Sequence, residues 1–90
     1  MIRRAFRVTG RVQGVGFRWW ARRTAIELGV GGWVRNEADG SVVVHALGET
    51  GSLSELALAL QSGPLGARVD RVEPIDPAGV LAVGEFRVEG

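Results

Sequence analysis

What most limits the fold of this chain is the order in which its hydrophobic period changes. Arg4-Ala5-Phe6-Arg7-Val8-Thr9 alternates apolar and polar residues loosely, as a half-buried strand does. Phe17, Trp20, Ala21, Thr24 and Leu28 then recur at helical spacing and form one apolar stripe. Gly29 follows where a helix ends in a left-handed cap. Gly31-Gly32 leads into a strand, Trp33-Val34-Arg35-Asn36-Glu37, and Asp39-Gly40 turns it back into the β-branched run Ser41 to Leu47. Ser52-Leu53-Ser54-Glu55 reads as a capping box that opens a second helix at Ser52. Leu53, Leu56, Ala57 and Leu60 form its buried face, and Gly63-Pro64 stops it. Residues 67–75 alternate again, with Val69, Arg71 and Glu73 set against Asp70 and Val72. Residues 78–83 lie between Pro77 and Gly84 and read as a surface loop, and Glu85-Phe86-Arg87-Val88 is a short last strand.

The order β-α-β-β-α-β, plus a short terminal strand, predicts an α+β fold of the ferredoxin-like kind. This is an α/β sandwich in which two helices pack on one face of an antiparallel sheet. Residues 1–90 make one small domain with a thin core. The absence of cysteine excludes disulfides and thiolate metal sites, and a lone histidine, His45, excludes a multi-histidine metal site. No apolar run approaches the roughly 20 residues of a membrane span. The start Met-Ile-Arg-Arg enters a strand without a signal-peptide core, so a soluble cytoplasmic protein is expected.

Gly10-Arg11-Val12-Gln13-Gly14-Val15-Gly16-Phe17-Arg18 carries the chemistry. Three glycines sit where a strand hands over to a helix, and glycine lets backbone N–H groups face a ligand with no Cβ in the way. A helix N-terminus adds unpaired N–H groups and partial positive charge. Together these form an anion cradle. Arg18, in the first helical turn, opposes the helix dipole and so calls for a counter-anion, to which it offers a planar charged fork. A bound phosphate or carboxylate follows from these residues alone.

The net charge of +1 hides an asymmetry. Residues 1–26 hold seven arginines and no acid, whereas the remainder holds four arginines and ten acids. Such a basic third draws in small anions, although every basic residue is arginine, which compositional bias alone explains equally well. The arginines are not interleaved with an aromatic platform, which argues against nucleic acid. A Walker A loop would need Gly-Lys-[Ser/Thr] where Gly16-Phe17-Arg18 stands, and a dinucleotide fingerprint would need glycine where Trp19 stands. An RNA-recognition domain would need exposed aromatics on Ser41-Val42-Val43-Val44-His45.

The stretch 10–18 resembles the first signature of the acylphosphatases, and Gly32-Trp33-Val34-Arg35-Asn36-Glu37-Ala38-Asp39-Gly40-Ser41-Val42 resembles their second. One helix separates the two, as in the family, and Gly63-Pro64-Leu65-Gly66-Ala67-Arg68-Val69 extends the likeness over essentially the whole chain. The resemblance implies hydrolysis of acyl phosphates to carboxylate and inorganic phosphate, with no metal and no organic cofactor. It implies that Arg18 grips the phosphate, that the backbone amides of Gln13, Gly14, Val15, Gly16 and Phe17 wrap its oxygens, and that Asn36 positions the attacking water. The expected partners are a small-molecule acyl phosphate and the phosphate product, with no nucleic acid and no membrane, and a monomer is expected. Two other classes stay open. One is the acylphosphatase-like domain of hydrogenase-maturation carbamoyltransferases, although this chain lacks their cysteines and looks free-standing. The other is a nucleic-acid or phosphoprotein binder that uses the basic third.

The remaining residues carry plainer expectations. Gln13 and Val15 shape the loop through their backbones, and Arg11 adds charge at its mouth. His45, in mid-strand, is structural or solvent-facing. Trp19 and Ile26 fall opposite the buried stripe, near Arg22 and Arg23, and the expected arrangement is an arginine shelf over the indole, the alternative being a contact patch for a partner or a second copy. Trp33 either lines the site or covers the sheet. Gly31 is expected to loosen the entry to the strand that carries Asn36.

Overall fold

A computed structural model describes residues 1–90. Its elements run β1 (Ile2–Arg11), α1 (Phe17–Glu27), β2 (Gly31–Asn36), β3 (Val42–Gly48), α2 (Thr50–Ser62), β4 (Arg68–Ile75) and β5 (Phe86–Glu89). The sheet order is β4-β1-β3-β2-β5. The first four strands pair antiparallel, as the pattern predicts, whereas β5 adds to the β2 edge in parallel and makes the sheet mixed. Both helices pack on one face, α1 over β2 and β5, α2 over β4, β1 and β3. Between helices and sheet lies a single apolar cluster that includes Phe6, Val8, Phe17, Val34, Val44, Leu53, Leu56 and Leu60. Each of its large side chains contributes about 1.5–3 kcal/mol by leaving water.

Helix α1 ends as its sequence indicates. Gly29 is left-handed (φ 72°), the Gly29 N–H donates to the Ile26 carbonyl at 3.1 Å, and the Val30 N–H donates to the Ala25 carbonyl at 2.8 Å. This pairing satisfies the last carbonyls of the helix. Helix α2 departs from expectation. It starts at Thr50 rather than Ser52, and no side-chain cap forms. The Leu53 N–H instead donates to the carbonyl of Glu49 at 3.0 Å. The earlier start closes a backbone bond for Leu53, which is fully buried, and leaves Ser52 inside the first turn.

Strand β4 also departs from simple alternation. Val8 pairs with Val72 and Thr9 with Arg71, but Gly10 pairs with Val69, so Asp70 is an extra residue in a bulge. The bulge returns Val69 to the helix side, where it packs against the core together with Val72. Gly10 therefore belongs to β1 rather than to the loop, and its φ of 128° serves the bulge: a Cβ there would overlap the carbonyl oxygen of Arg68.

The face of the sheet away from the helices is covered by residues 76–85. Ala5, Trp33, Val43 and His45 are buried there. His45 stacks on Trp33 with ring centroids 4.1 Å apart, and the Arg35 guanidinium lies over the indole at 4.9 Å from a ring centroid. The backbone N–H of Ala78 donates to His45 Nδ1 at 3.1 Å, and Arg3 donates to the carbonyl of Gly79. Trp33 thus covers the sheet, and His45 is structural. Gly31 does not loosen its strand; a Cβ there would overlap the carbonyl oxygen of Ala82, so glycine is what lets the covering segment approach.

His45 makes stability depend on pH. Burial pushes its imidazole below the ordinary value of 6.5, and the charges of Arg35 and Arg3 act the same way, against Glu37. The nitrogen that accepts from Ala78 must also be unprotonated. The unfolded chain therefore takes up a proton near pH 6.5 before the folded chain does, so stability falls as pH drops below that value. Thermal unfolding between pH 7.5 and about 5 should show this slope, and His45→Gln should flatten it.

Candidate functional site

The site lies at the end of the sheet where β1 leaves for α1. Between Arg11 and Phe17 the chain turns through Gly14 (φ 76°) and Gly16 (φ 77°), both left-handed. A Cβ at either position would meet nothing within 4 Å, so the space around them is open and glycine is required by the backbone alone. Gly16 is the N-cap of α1 and supplies no capping side chain, and no acid occupies the first turn. None of the backbone N–H groups from Gln13 to Trp19 donates to another group of the chain. A run of unpaired donors thus ends at the positive pole of a helix.

Arg18 is half-buried on the side of α1 that faces β5. Its Nη1 reaches the carbonyl oxygen of Glu89 at 3.4 Å, a long contact that leaves most of the fork free. Glu89 pairs with Arg35, the residue before Asn36, so Arg18 stands over the end of β2. Asn36 is the last residue of β2 and shares the helix-side face with Val34, opposite Trp33 and Arg35. Its Oδ1 is buried and has no hydrogen-bond partner. The fold brings the loop, Arg18 and Asn36 to one end of the sheet.

The hairpin behind Asn36 is braced by its own polar groups. Asp39 accepts from the Ser41 hydroxyl at 2.6 Å and the Ser41 N–H at 2.9 Å, and Arg7 donates to Ser41 Oγ at 3.1 Å. The two Ser41 bonds, with Arg7 nearby, hold the Asp39 carboxyl below the usual carboxylate range. Gln13 does more than sequence reasoning gave it. Its side-chain amide donates to the carbonyls of Glu37 at 2.8 Å and Ser41 at 2.9 Å. Those partners lie 24 and 28 residues away, and no local pattern could have named them.

Other expectations resolve differently. Arg22 does not cover Trp19; its Nε donates to the Phe86 carbonyl at 3.0 Å, and the one cation–π contact is that of Arg35 with Trp33. Trp19 and Ile26 stay exposed, at 63% and 52%. Arg11 is exposed at the end of β1, beside Arg68. No three His, Cys, Asp or Glu side chains come together as a metal site, and no helix is long and apolar enough to cross a membrane.

Comparison with known proteins places the chain in a family. The family model for acylphosphatase matches residues 4–87. An acylphosphatase of Koribacter versatilis (strain Ellin345) is 51% identical over 87 residues, which covers 97% of this chain and 79% of the relative. Among solved structures, an acylphosphatase from Bacillus subtilis aligns with a TM-score of 0.91 at 29% identity over 100% of both chains. One from Coxiella burnetii aligns with a TM-score of 0.84 at 38% identity, over 97% of this chain and 90% of the other. By sequence and by fold, the chain belongs to the acylphosphatase family.

Proposed function

We propose that this chain hydrolyses acyl phosphates to a carboxylate and inorganic phosphate, with Arg18 and the amides of residues 13–17 holding the phosphate and Asn36 holding the water. The observation that carries this reading is the unbroken run of unpaired backbone N–H groups that closes on Arg18. An acyl phosphate brings its own good leaving group, a carboxylate whose conjugate acid has a pKa near ~4. The work left to the protein is to stabilise charge on the equatorial oxygens and to place water in line. The amides and the guanidinium do the first. The side-chain amide of Asn36, at the end of β2, does the second by hydrogen-bonding to the water.

In the step itself the water oxygen bonds to phosphorus as the bond from phosphorus to the acyl oxygen breaks. The carboxylate leaves with that electron pair, and the water proton passes to a phosphate oxygen. No metal takes part in this reading, and the chain works as a single copy.

The test is phosphate release from benzoyl phosphate in the presence of EDTA. Wild type should turn over at its full rate there, and Asn36→Ala should lower kcat by about 10²-fold through misplaced water, with KM little changed. A wild type that binds inorganic phosphate but releases none from the substrate would make the cradle a binding site only. A rate lost to EDTA and restored by a divalent cation would overturn the metal-free step.

A further inference from the structure

We infer that Gln13 is a positioning residue that sets the distance between the phosphate cradle and the water-bearing hairpin, an inference that rests on the function proposed above. Its backbone lies in the cradle, but both hydrogens of its side-chain amide are committed elsewhere, to the carbonyls of Glu37 and Ser41. These carbonyls stand on the two sides of the hairpin turn. Glu37 follows Asn36 directly, and Ser41 precedes Val42, the residue paired with Asn36. One side chain therefore grips both strands at the level of Asn36.

The hairpin does not need Gln13 to keep its own shape. The Glu37 N–H already donates to the Ser41 carbonyl at 2.8 Å, and Asp39, with Arg7 behind it, braces the turn through Ser41. The cradle is likewise shaped by Gly14, Gly16 and the start of α1. What the amide of Gln13 adds is the tie between these two self-supporting pieces. Phosphate binding uses only the cradle piece, whereas in-line attack needs both pieces at a fixed separation.

This division gives a kinetic signature. Gln13→Met removes both donors at similar volume, and Gln13→Glu sets a carboxylate against two carbonyl oxygens. For Gln13→Met, kcat with benzoyl phosphate should fall about 10- to 100-fold while inhibition by inorganic phosphate changes by less than about threefold. Gln13→Glu should be slower still at neutral pH and recover toward the Met variant as the carboxyl protonates. Phosphate should also shift the side-chain amide NMR signal of Asn36 in wild type and not in Gln13→Met, a readout that needs no turnover. Normal kcat in Gln13→Met, or kcat and phosphate affinity lost together in step with thermal stability, would overturn the inference. A wild type without turnover would instead count against the hydrolase reading, and the Asn36 signal would still decide whether Gln13 couples the two pieces.

Discussion

Arg18→Ala should lower kcat/KM for benzoyl phosphate by about 10²–10³-fold, or about 3–4 kcal/mol of transition-state binding, the scale of losing a preorganised charge-stabilising donor. The loss follows from what else Arg18 does, which is little. The only hydrogen bond its side chain makes within the chain is the 3.4 Å contact with the Glu89 carbonyl. Its removal should therefore leave thermal unfolding close to that of wild type, and the deficit can be assigned to the reaction. Arg18→Lys keeps the charge but not the planar fork, so it should recover only part of the rate. Affinity for inorganic phosphate should weaken in the same variants, because the guanidinium and the amides would share one ligand. Turnover within threefold of wild type in Arg18→Ala would remove Arg18 from the mechanism.

The second large effect is on folding. Gly32→Ala should cost about 4 kcal/mol or more and lower the unfolding midpoint by roughly 20 °C. Gly32 lies in β2, hydrogen-bonded between β3 and β5, with φ at 134°. That backbone region is strained for any residue with a Cβ. The added Cβ would also overlap the carbonyl oxygen of His45 and come within 2.8 Å of its carbonyl carbon. Both are backbone atoms of the neighbouring strand and cannot turn aside as a side chain would. Gly14→Ala is the contrast. It has left-handed backbone too, but its Cβ meets nothing within 4 Å, so only the roughly 1–2 kcal/mol cost of that conformation applies. Calorimetry of the two variants side by side separates the close approach from the backbone term, and equal midpoints would show that the overlap is relieved.

Much of the frame was legible because it is written in local patterns. The helical spacing of Phe17, Ala21 and Leu28 and the left-handed cap at Gly29 place α1. The turn residues Asp39 and Gly40 place the hairpin, and strand alternation sets Asn36 on the face opposite Trp33. The glycine loop at a strand-to-helix junction is the local signal for an anion cradle, since the N–H groups at a helix start lack intrahelical partners and no capping side chain supplies one here. Local signals misled where another backbone contact won. The capping box at Ser52 was set aside when Leu53 found the Glu49 carbonyl. Gly10 reads as a loop glycine and Gly31 as a loosening one in the sequence, yet each is a point where another backbone presses in.

The sequence by itself determined the order of elements and, through the two motifs at 10–18 and 32–42, the family. These are read from residue types and spacings along the chain, element by element, and need no distant contact to be recognised. Only the tertiary structure decided that Asp70 is a bulge, that β5 runs parallel to β2, that residues 76–85 close over Trp33 and His45, and that Gln13 ties the cradle to the hairpin. Each of those joins groups at least 24 residues apart, the bulge included, since it is set by the pairing of Gly10 with Val69. Hydrophobic period says which face of an element is buried but not which distant carbonyl a donor will reach; that choice is made when the packed core fixes the separations.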